Sequence, residues 1–157
     1  MKPLDNLYLI AAVSSNGVIG DSKIPGMLWH CREELQHFKH TTMGSVIVMG
    51  RITAETVGKL PGRDCIVLSR DPDYTLPGFD TMTIEDFLTC AKQNPILSFM
   101  ICGGGKVYEA LFDYCRIAIV SRMDFGVGGD IKLSVPIEFD VYATKRFEEF
   151  EVSYYSR

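Results

Sequence analysis

Apolar and polar residues fall along this chain in short blocks whose period switches again and again. Leu7 to Val13 is a near-continuous apolar run, as expected of a parallel strand buried on both faces. A glycine-containing loop follows from Ser14 to Leu28. Between Cys31 and His40, Glu34, Leu35 and Phe38 recur at helical spacing, which predicts a helix. Ser45 to Met49 predicts a strand, Thr53 to Val57 a short helix, Leu60-Pro61-Gly62-Arg63 a turn, and Cys65 to Leu68 another strand. Pro72 and Pro77-Gly78 mark a loop before a short strand at Asp80 to Met82. Thr83 is placed to cap a helix from Ile84 to Lys92, with Glu85 and Asp86 in the first turn, where the helix dipole favours acids. Arg116 to Met123 predicts a further strand. In the tail, Val141 to Phe147 and Phe150 to Tyr155 alternate and are rich in Tyr and Phe, which suggests antiparallel strands closing an edge. Strands alternating with short helices predict an α/β sheet with helices on both faces. No internal repeat or linker interrupts the pattern.

Two junctions stand out. An apolar run (Ile96, Leu97, Phe99, Met100, Ile101) stops at Cys102-Gly103-Gly104-Gly105-Lys106, and a helical pattern follows at once (Val107, Tyr108, Leu111, Phe112). Earlier, Ser45-Val46-Ile47-Val48-Met49 runs through Gly50-Arg51 into Thr53 and Val57. Glycines between a strand and a helix let a ligand approach the backbone, and a helix start offers unpaired N–H groups to an anion. Two such junctions point to one extended ligand that carries phosphates.

The bulk composition narrows the classes. At 157 residues, one domain spanning residues 1–157 is the simplest expectation. No apolar stretch approaches the roughly 20 residues of a membrane span, and Met1-Lys2-Pro3-Leu4-Asp5 leads straight into a strand without reading as a signal peptide. Neither membrane nor nucleic acid is expected as a partner, since the formal charge is −4 and gives no broad basic footprint. An anionic ligand would need local basic groups instead. Cys31, Cys65, Cys90, Cys102 and Cys115 are odd in number and form no C-x-x-C pair, so no metal site is expected. They read as free thiols in a reducing cytoplasm, with Cys65, Cys102 and Cys115 filling core. Nothing in the sequence demands more than a monomer.

The order VIG…W…E…F, VIVMGR-x-T, LPGR, LS, ICGGGKVYE and a late GD resembles dihydrofolate reductase over nearly the whole chain. The resemblance implies a three-layer α/β/α sandwich built on a mostly parallel eight-stranded sheet with an antiparallel C-terminal strand. It also implies the activity: NADPH-dependent reduction of 7,8-dihydrofolate to tetrahydrofolate, with hydride delivered to pterin C6 and a proton to N5.

The resemblance then assigns roles residue by residue. Glu34, four residues before Phe38 and so on the same helix face, would hydrogen-bond the pterin and assist protonation at N5. Glu33 points elsewhere around the helix and is expected to be solvated. Trp29 would close the wall near the acid, and Ser121 takes the place of a family threonine that bonds it. Ile10, Phe38 and Val57 would sandwich the pterin and benzoyl groups. Arg63 would hold the α-carboxylate of the glutamate tail, with Lys39 at the rim. Bidentate pairing with a carboxylate suits arginine better than lysine.

On the cofactor side the same resemblance assigns Ala12, Ile19, Gly20, Gly50, Arg51, Thr53, Ser69, Arg70, Cys102, Gly103, Gly104, Gly105, Lys106, Val107 and Tyr108, with a cis Gly103–Gly104 peptide. Asp130 matches an acid that contacts the lid over the nicotinamide. The chain departs from the family in lacking a proline between Trp29 and Glu34, and its lid loop, from Gly20 to Leu28, is slightly longer than in the shorter bacterial forms. Two rival readings share the fold: a reductase acting on a ribosylated pyrimidine, and a reductase-like chain kept as a scaffold. Glu34 before Phe38 together with Arg63 favours a pterin with a glutamate tail over the first. Retention of acid, arginine and glycine loop together speaks against the second.

Overall fold

The first apolar run lies in the middle of the sheet. In the computed structural model, which describes residues 3–135 and 138–157, it forms β1 (Leu4–Val13). This strand pairs in parallel with β6 (Phe99–Ile101) on one side and β7 (Cys115–Met123) on the other. Beyond β6 come β3 (Val46–Gly50), β4 (Asp64–Leu68) and β5 (Asp80–Met82), all parallel. Beyond β7 comes β10 (Phe150–Ser156), antiparallel to β7 and to the edge strand β9 (Asp140–Arg146). The order of the eight strands is β5-β4-β3-β6-β1-β7-β10-β9, so β10 alone runs against the rest. The expectation about a signal peptide draws partly on Met1 and Lys2, which lie outside the described residues.

Alternate residues of each strand feed two separate cores, and this is why the strands read as unbroken apolar runs. Leu7, Leu9, Ala11 and Val13 join Val48, Ile66, Ile101 and Val120 under α3 (Ile84–Gln93) and α4 (Gly105–Leu111), which contribute Phe87, Ala91, Tyr108 and Leu111. Ile10 joins Ile47, Met49, Val67 and Ile119 on the other face, beneath α1 (Arg32–Thr42) and α2 (Arg51–Val57). Full burial of one such side chain contributes about 1.5–3 kcal/mol. The three layers expected from the resemblance are present.

Local signals decided most boundaries. The Thr83 hydroxyl accepts from the Asp86 amide at 3.2 Å and caps α3. Cys31 is the extended residue before α1 rather than its first turn. Two expectations need correction. Ile96 and Leu97 precede the strand instead of entering it; Ile96 is 95% exposed, and a turn closed by the Leu97 amide on the Asn94 carbonyl at 3.1 Å separates them from β6. The segment from Ser14 to Leu28 is not all loop, because β2 (Val18–Gly20) pairs antiparallel with β8 (Ile131–Lys132). Strands this short carry too few residues to show a period.

The chain order leaves one crevice. From β3 the chain passes to α2 on one face, and from β6 to α4 on the other, although β3 and β6 are neighbours. Such a reversal opens a cleft at the carboxyl ends of the strands, where ligands of open α/β sheets bind. Both glycine junctions stand at that point. Among the described residues no helix is long and apolar enough to cross a membrane.

Candidate active site

The acid comes first. Glu34 lies on the face of α1 turned to the sheet and is 7% exposed, whereas Glu33 is exposed and accepts from the Glu148 amide at 3.2 Å. Among the described residues Glu34 has no basic partner. A carboxyl taken from water without a cation resists ionisation, and burial lifts its pKa from 4.5 to about 7. It is therefore protonated or deprotonated with nearly equal ease at neutral pH.

The residues assigned to the pterin belong to the same side of the sheet. Ile10 and Ser121, on adjacent strands, are 3% and 2% exposed. Ser121 sits between Ala12 on β1 and Val152 on β10, and its hydroxyl makes no hydrogen bond to Glu34 among the described residues. Phe38 and Trp29 pack against the same core cluster as Ile10, and Trp29 meets Phe125 edge-on at 5.9 Å. The Trp29 Nε1 is buried without a partner, a donor free to serve a ligand or water in the pocket. Lys39 is exposed and Val57, at the end of α2, is 49% exposed.

Arg63 is not a solvated turn arginine. It is 6% exposed, and its Nε donates to the Pro61 carbonyl and its Nη1 to Thr42 Oγ1, each at 3.0 Å. Thr42 closes α1, so this arginine ties the turn before β4 to the helix that bears Glu34. Its Nη2 has no acceptor among the described residues and is the donor left for a carboxylate.

The two glycine junctions meet backbone to backbone. The Gly50 amide donates to the Gly103 carbonyl at 2.8 Å, and the Cys102 amide to Val48 at 2.9 Å. A Cβ on Gly50 would stand 2.9 Å from Val107, one on Gly104 3.1 Å from Thr53 Oγ1, and one on Gly105 2.8 Å from Ile131, with Ile19 at 4.0 Å. The Gly103–Gly104 peptide is cis. Neither α2 nor α4 has a side chain capping its first amides, which leaves donors for an anion. Arg51 and Lys106 are exposed beside them, as is Arg70 after β4; the neighbouring Ser69 hydroxyl accepts from the Asp71 amide at 3.1 Å. These donors and cations suit a dinucleotide with a pyrophosphate.

Tyr108 does more than line that junction. It is buried, and its hydroxyl donates to the Ile10 carbonyl at 2.7 Å. Burial, with Cys102 and Glu34 as further contributors, raises its pKa well above the ordinary range, so it remains a donor. The Cys102 thiol is likewise pushed up by burial and stays unreactive.

The lid is latched. The Asp130 carboxylate accepts from the Ser22 amide at 2.8 Å and from the Ser22 hydroxyl at 2.5 Å. These bonds hold its pKa below the usual carboxylate range. Behind the latch, a Cβ on Gly129 would lie 2.6 Å from the Gly20 carbonyl oxygen, so only glycine allows β2 this close. Sequence reasoning missed β2, the Thr42 anchor of Arg63, and Tyr74, whose ring lies beneath Arg51; a lone tyrosine in a proline-marked loop carries no local signal of such a contact. A separate cavity of about 800 Å³ opens on the opposite face of the sheet, lined by Val13, Val120, Arg122 and Phe139. Of its charged lining residues, Arg146 pairs with Asp124 and Arg122 donates to the Ser15 carbonyl at 2.7 Å, and it contains none of the candidate site residues above.

This geometry has close counterparts. A family model described as dihydrofolate reductase matches residues 6–155. The dihydrofolate reductase of Mycoplasma genitalium is 34% identical over a 158-residue alignment that covers 96% of this chain and 98% of that one. Dihydrofolate reductase type 3 of Salmonella typhimurium is 34% identical, over 94% of this chain and 86% of its own length. The solved structure of dihydrofolate reductase from Enterococcus faecalis, complexed with NADP(H) and RAB-propyl, superposes with a TM-score of 0.85 at 26% identity, covering 96% and 95% of the two chains. The acid on α1, the paired glycine junctions and this agreement over the full sheet have one explanation: the chain belongs to the dihydrofolate reductase family of oxidoreductase enzymes.

Proposed function

We propose that this protein reduces 7,8-dihydrofolate to 5,6,7,8-tetrahydrofolate with NADPH as cofactor, serving one-carbon and thymidylate metabolism. The observation that carries the reading is Glu34: a buried carboxyl, unpaired by any cation, with a pKa of about 7. When bound, NADPH supplies a hydride for C6 of the pterin. The chain's own residues do the rest. Glu34 binds the 2-amino and N3 edge of the pterin and holds the proton destined for N5, since a group titrating near the working pH both gives and regains a proton readily. Trp29 Nε1 and the Ser121 hydroxyl provide polar contacts beside it.

Ile10 and Phe38 present apolar surface to the pterin and Val57 to the benzoyl group, excluding water. Arg63 Nη2 faces the α-carboxylate of the tail, with Lys39 at the rim. Ala12, Ile19 and Gly20 border the nicotinamide, and the latch between Ser22 and Asp130 keeps the lid against it. Gly50, Arg51 and Thr53, with the segment from Cys102 to Tyr108, hold the pyrophosphate, while Ser69 and Arg70 read the adenosine 2′-phosphate, which needs a cation. The reading includes a single domain over residues 1–157, acting as a monomer in the cytoplasm.

The decisive assay follows NADPH absorbance with dihydrofolate added. Rapid decay in the wild type and little in Glu34→Gln at neutral pH is the expected result. No decay in a wild type that still binds NADPH would overturn the proposal.

A further inference from the structure

Arg51 opens α2 beside the glycine junctions, and its side chain is 58% exposed, yet it is held on two sides. Its Nε lies 3.4 Å from Glu55 Oε1, one turn along the helix. Its guanidinium carbon stands 5.6 Å from the centre of the Tyr74 ring. Tyr74 belongs to the loop between β4 and β5, and that loop is itself tied down. The Tyr74 amide donates to the Asp71 carbonyl at 3.1 Å, and its own carbonyl accepts from Thr81 Oγ1 at 2.6 Å. The ring packs against the core cluster beneath α2, as do Leu76 and Phe79. With Nε turned to Glu55, the edge formed by Nη1 and Nη2 makes no hydrogen bond among the described residues. That edge carries the parallel donors that match two oxygens of a phosphate.

We infer that Tyr74 is a positioning residue for cofactor recognition: its ring face holds the Arg51 guanidinium so that the Nη edge receives a phosphate of the dinucleotide. The inference rests on the cofactor reading above. Its physical basis is entropic. A long, exposed arginine loses rotamer freedom when it binds an anion, and a ring that already fixes the guanidinium plane removes part of that loss. Cation–π attraction to the ring adds to the restraint. The phosphate is either the pyrophosphate, common to both nicotinamide dinucleotides, or the 2′-phosphate of NADPH alone, and the two cofactors separate these sources.

The test measures dissociation constants of NADPH and NADH for the full chain by fluorescence titration. The proteins are the wild type, Arg51→Ala, Tyr74→Phe and Tyr74→Leu, the last of which keeps apolar bulk in the loop without an aromatic face. Tyr74→Leu is expected to bind NADPH about threefold to tenfold more weakly, and Tyr74→Phe to stay within about twofold of wild type because the ring remains. In both, kcat at saturating NADPH and KM for dihydrofolate should match the wild type, which a general loss of structure would not allow. Equal weakening for NADH assigns the pyrophosphate; weakening for NADPH alone assigns the 2′-phosphate. Wild-type affinity in Tyr74→Leu alongside a weakened Arg51→Ala would overturn the role of Tyr74 and leave that of Arg51. Failure of Tyr74→Phe to restore binding would overturn it as well. A wild type that binds neither dinucleotide would instead refute the cofactor reading on which it rests.

Discussion

The Tyr108 hydroxyl donates to the Ile10 carbonyl at 2.7 Å, joining the helix after the glycine junction to the central strand β1. Through this bond the two halves of the site keep a fixed spacing. Tyr108→Phe would leave a buried carbonyl oxygen short of a partner, at a cost of about 1–3 kcal/mol. Urea unfolding should show that loss, and weaker NADPH binding should accompany it. Unchanged stability and affinity would mean that the bond positions nothing.

Glu34 makes stability depend on pH in an unusual direction. Its pKa is about 7 in the fold against an ordinary 4.5, so the folded chain binds this proton more tightly than the unfolded chain. Stability from the group is fully present below pH 4.5 and is lost as pH rises through about 7. At about 1.4 kcal/mol per pKa unit the loss is on the order of 3 kcal/mol. Glu34→Gln should thus gain on the wild type in unfolding free energy between about pH 5 and about pH 8. Parallel pH dependence in the two proteins would contradict the burial argument.

Arg63 anchors the turn before β4 to α1, a structural task beside the tail contact proposed for it, and the sequence suggested only the latter. Its bonds to Pro61 and Thr42 mean that Arg63→Leu should lower stability as well as weaken dihydrofolate binding. Thr42→Val removes the Nη1 acceptor together with the hydroxyl's own bond to the Phe38 carbonyl at 2.7 Å, and should lower stability while largely keeping KM. Wild-type KM in Arg63→Leu would dismiss the tail contact.

The latch between Asp130 and Ser22 depends on an ionised carboxylate. Asp130→Ala should speed amide exchange at Ser22 and its neighbours and should alter kcat, since lid opening and product release commonly limit turnover in closing enzymes. Acid should loosen the wild-type latch only below the usual carboxylate range, because the bonds to Ser22 hold the Asp130 pKa down. Exchange at Ser22 that ignores the substitution would show that the latch does not hold the lid.

What could be read from the sequence was what depends on neighbours along the chain. Thr83 before Glu85 and Asp86 announced the start of α3, and the glycines after Ile101 announced the junction. The apolar runs gave the strands because alternate residues feed two cores (Leu9 to one, Ile10 to the other). Glu34 was singled out by the resemblance, which sets an acid four residues before a phenylalanine, here Phe38; helical spacing alone does not mark it as buried. Contacts between distant segments left no such trace. The pairing of Val18 with Lys132 involves strands too short for a period, the burial of Arg63 depends on Thr42, and the ring beneath Arg51 comes from a loop marked only by prolines. Ile96 misled because an apolar residue in a turn resembles the strand that follows it.

Whether Glu34 governs protonation during turnover is read from the pH profile of kcat with NADPH and dihydrofolate. Since the acid form of Glu34 must be populated, the wild-type rate should fall as pH rises through about 7, and Glu34→Gln should be slow with no such step. A wild-type profile that is flat through neutrality, or the same step in Glu34→Gln, would contradict that role of Glu34.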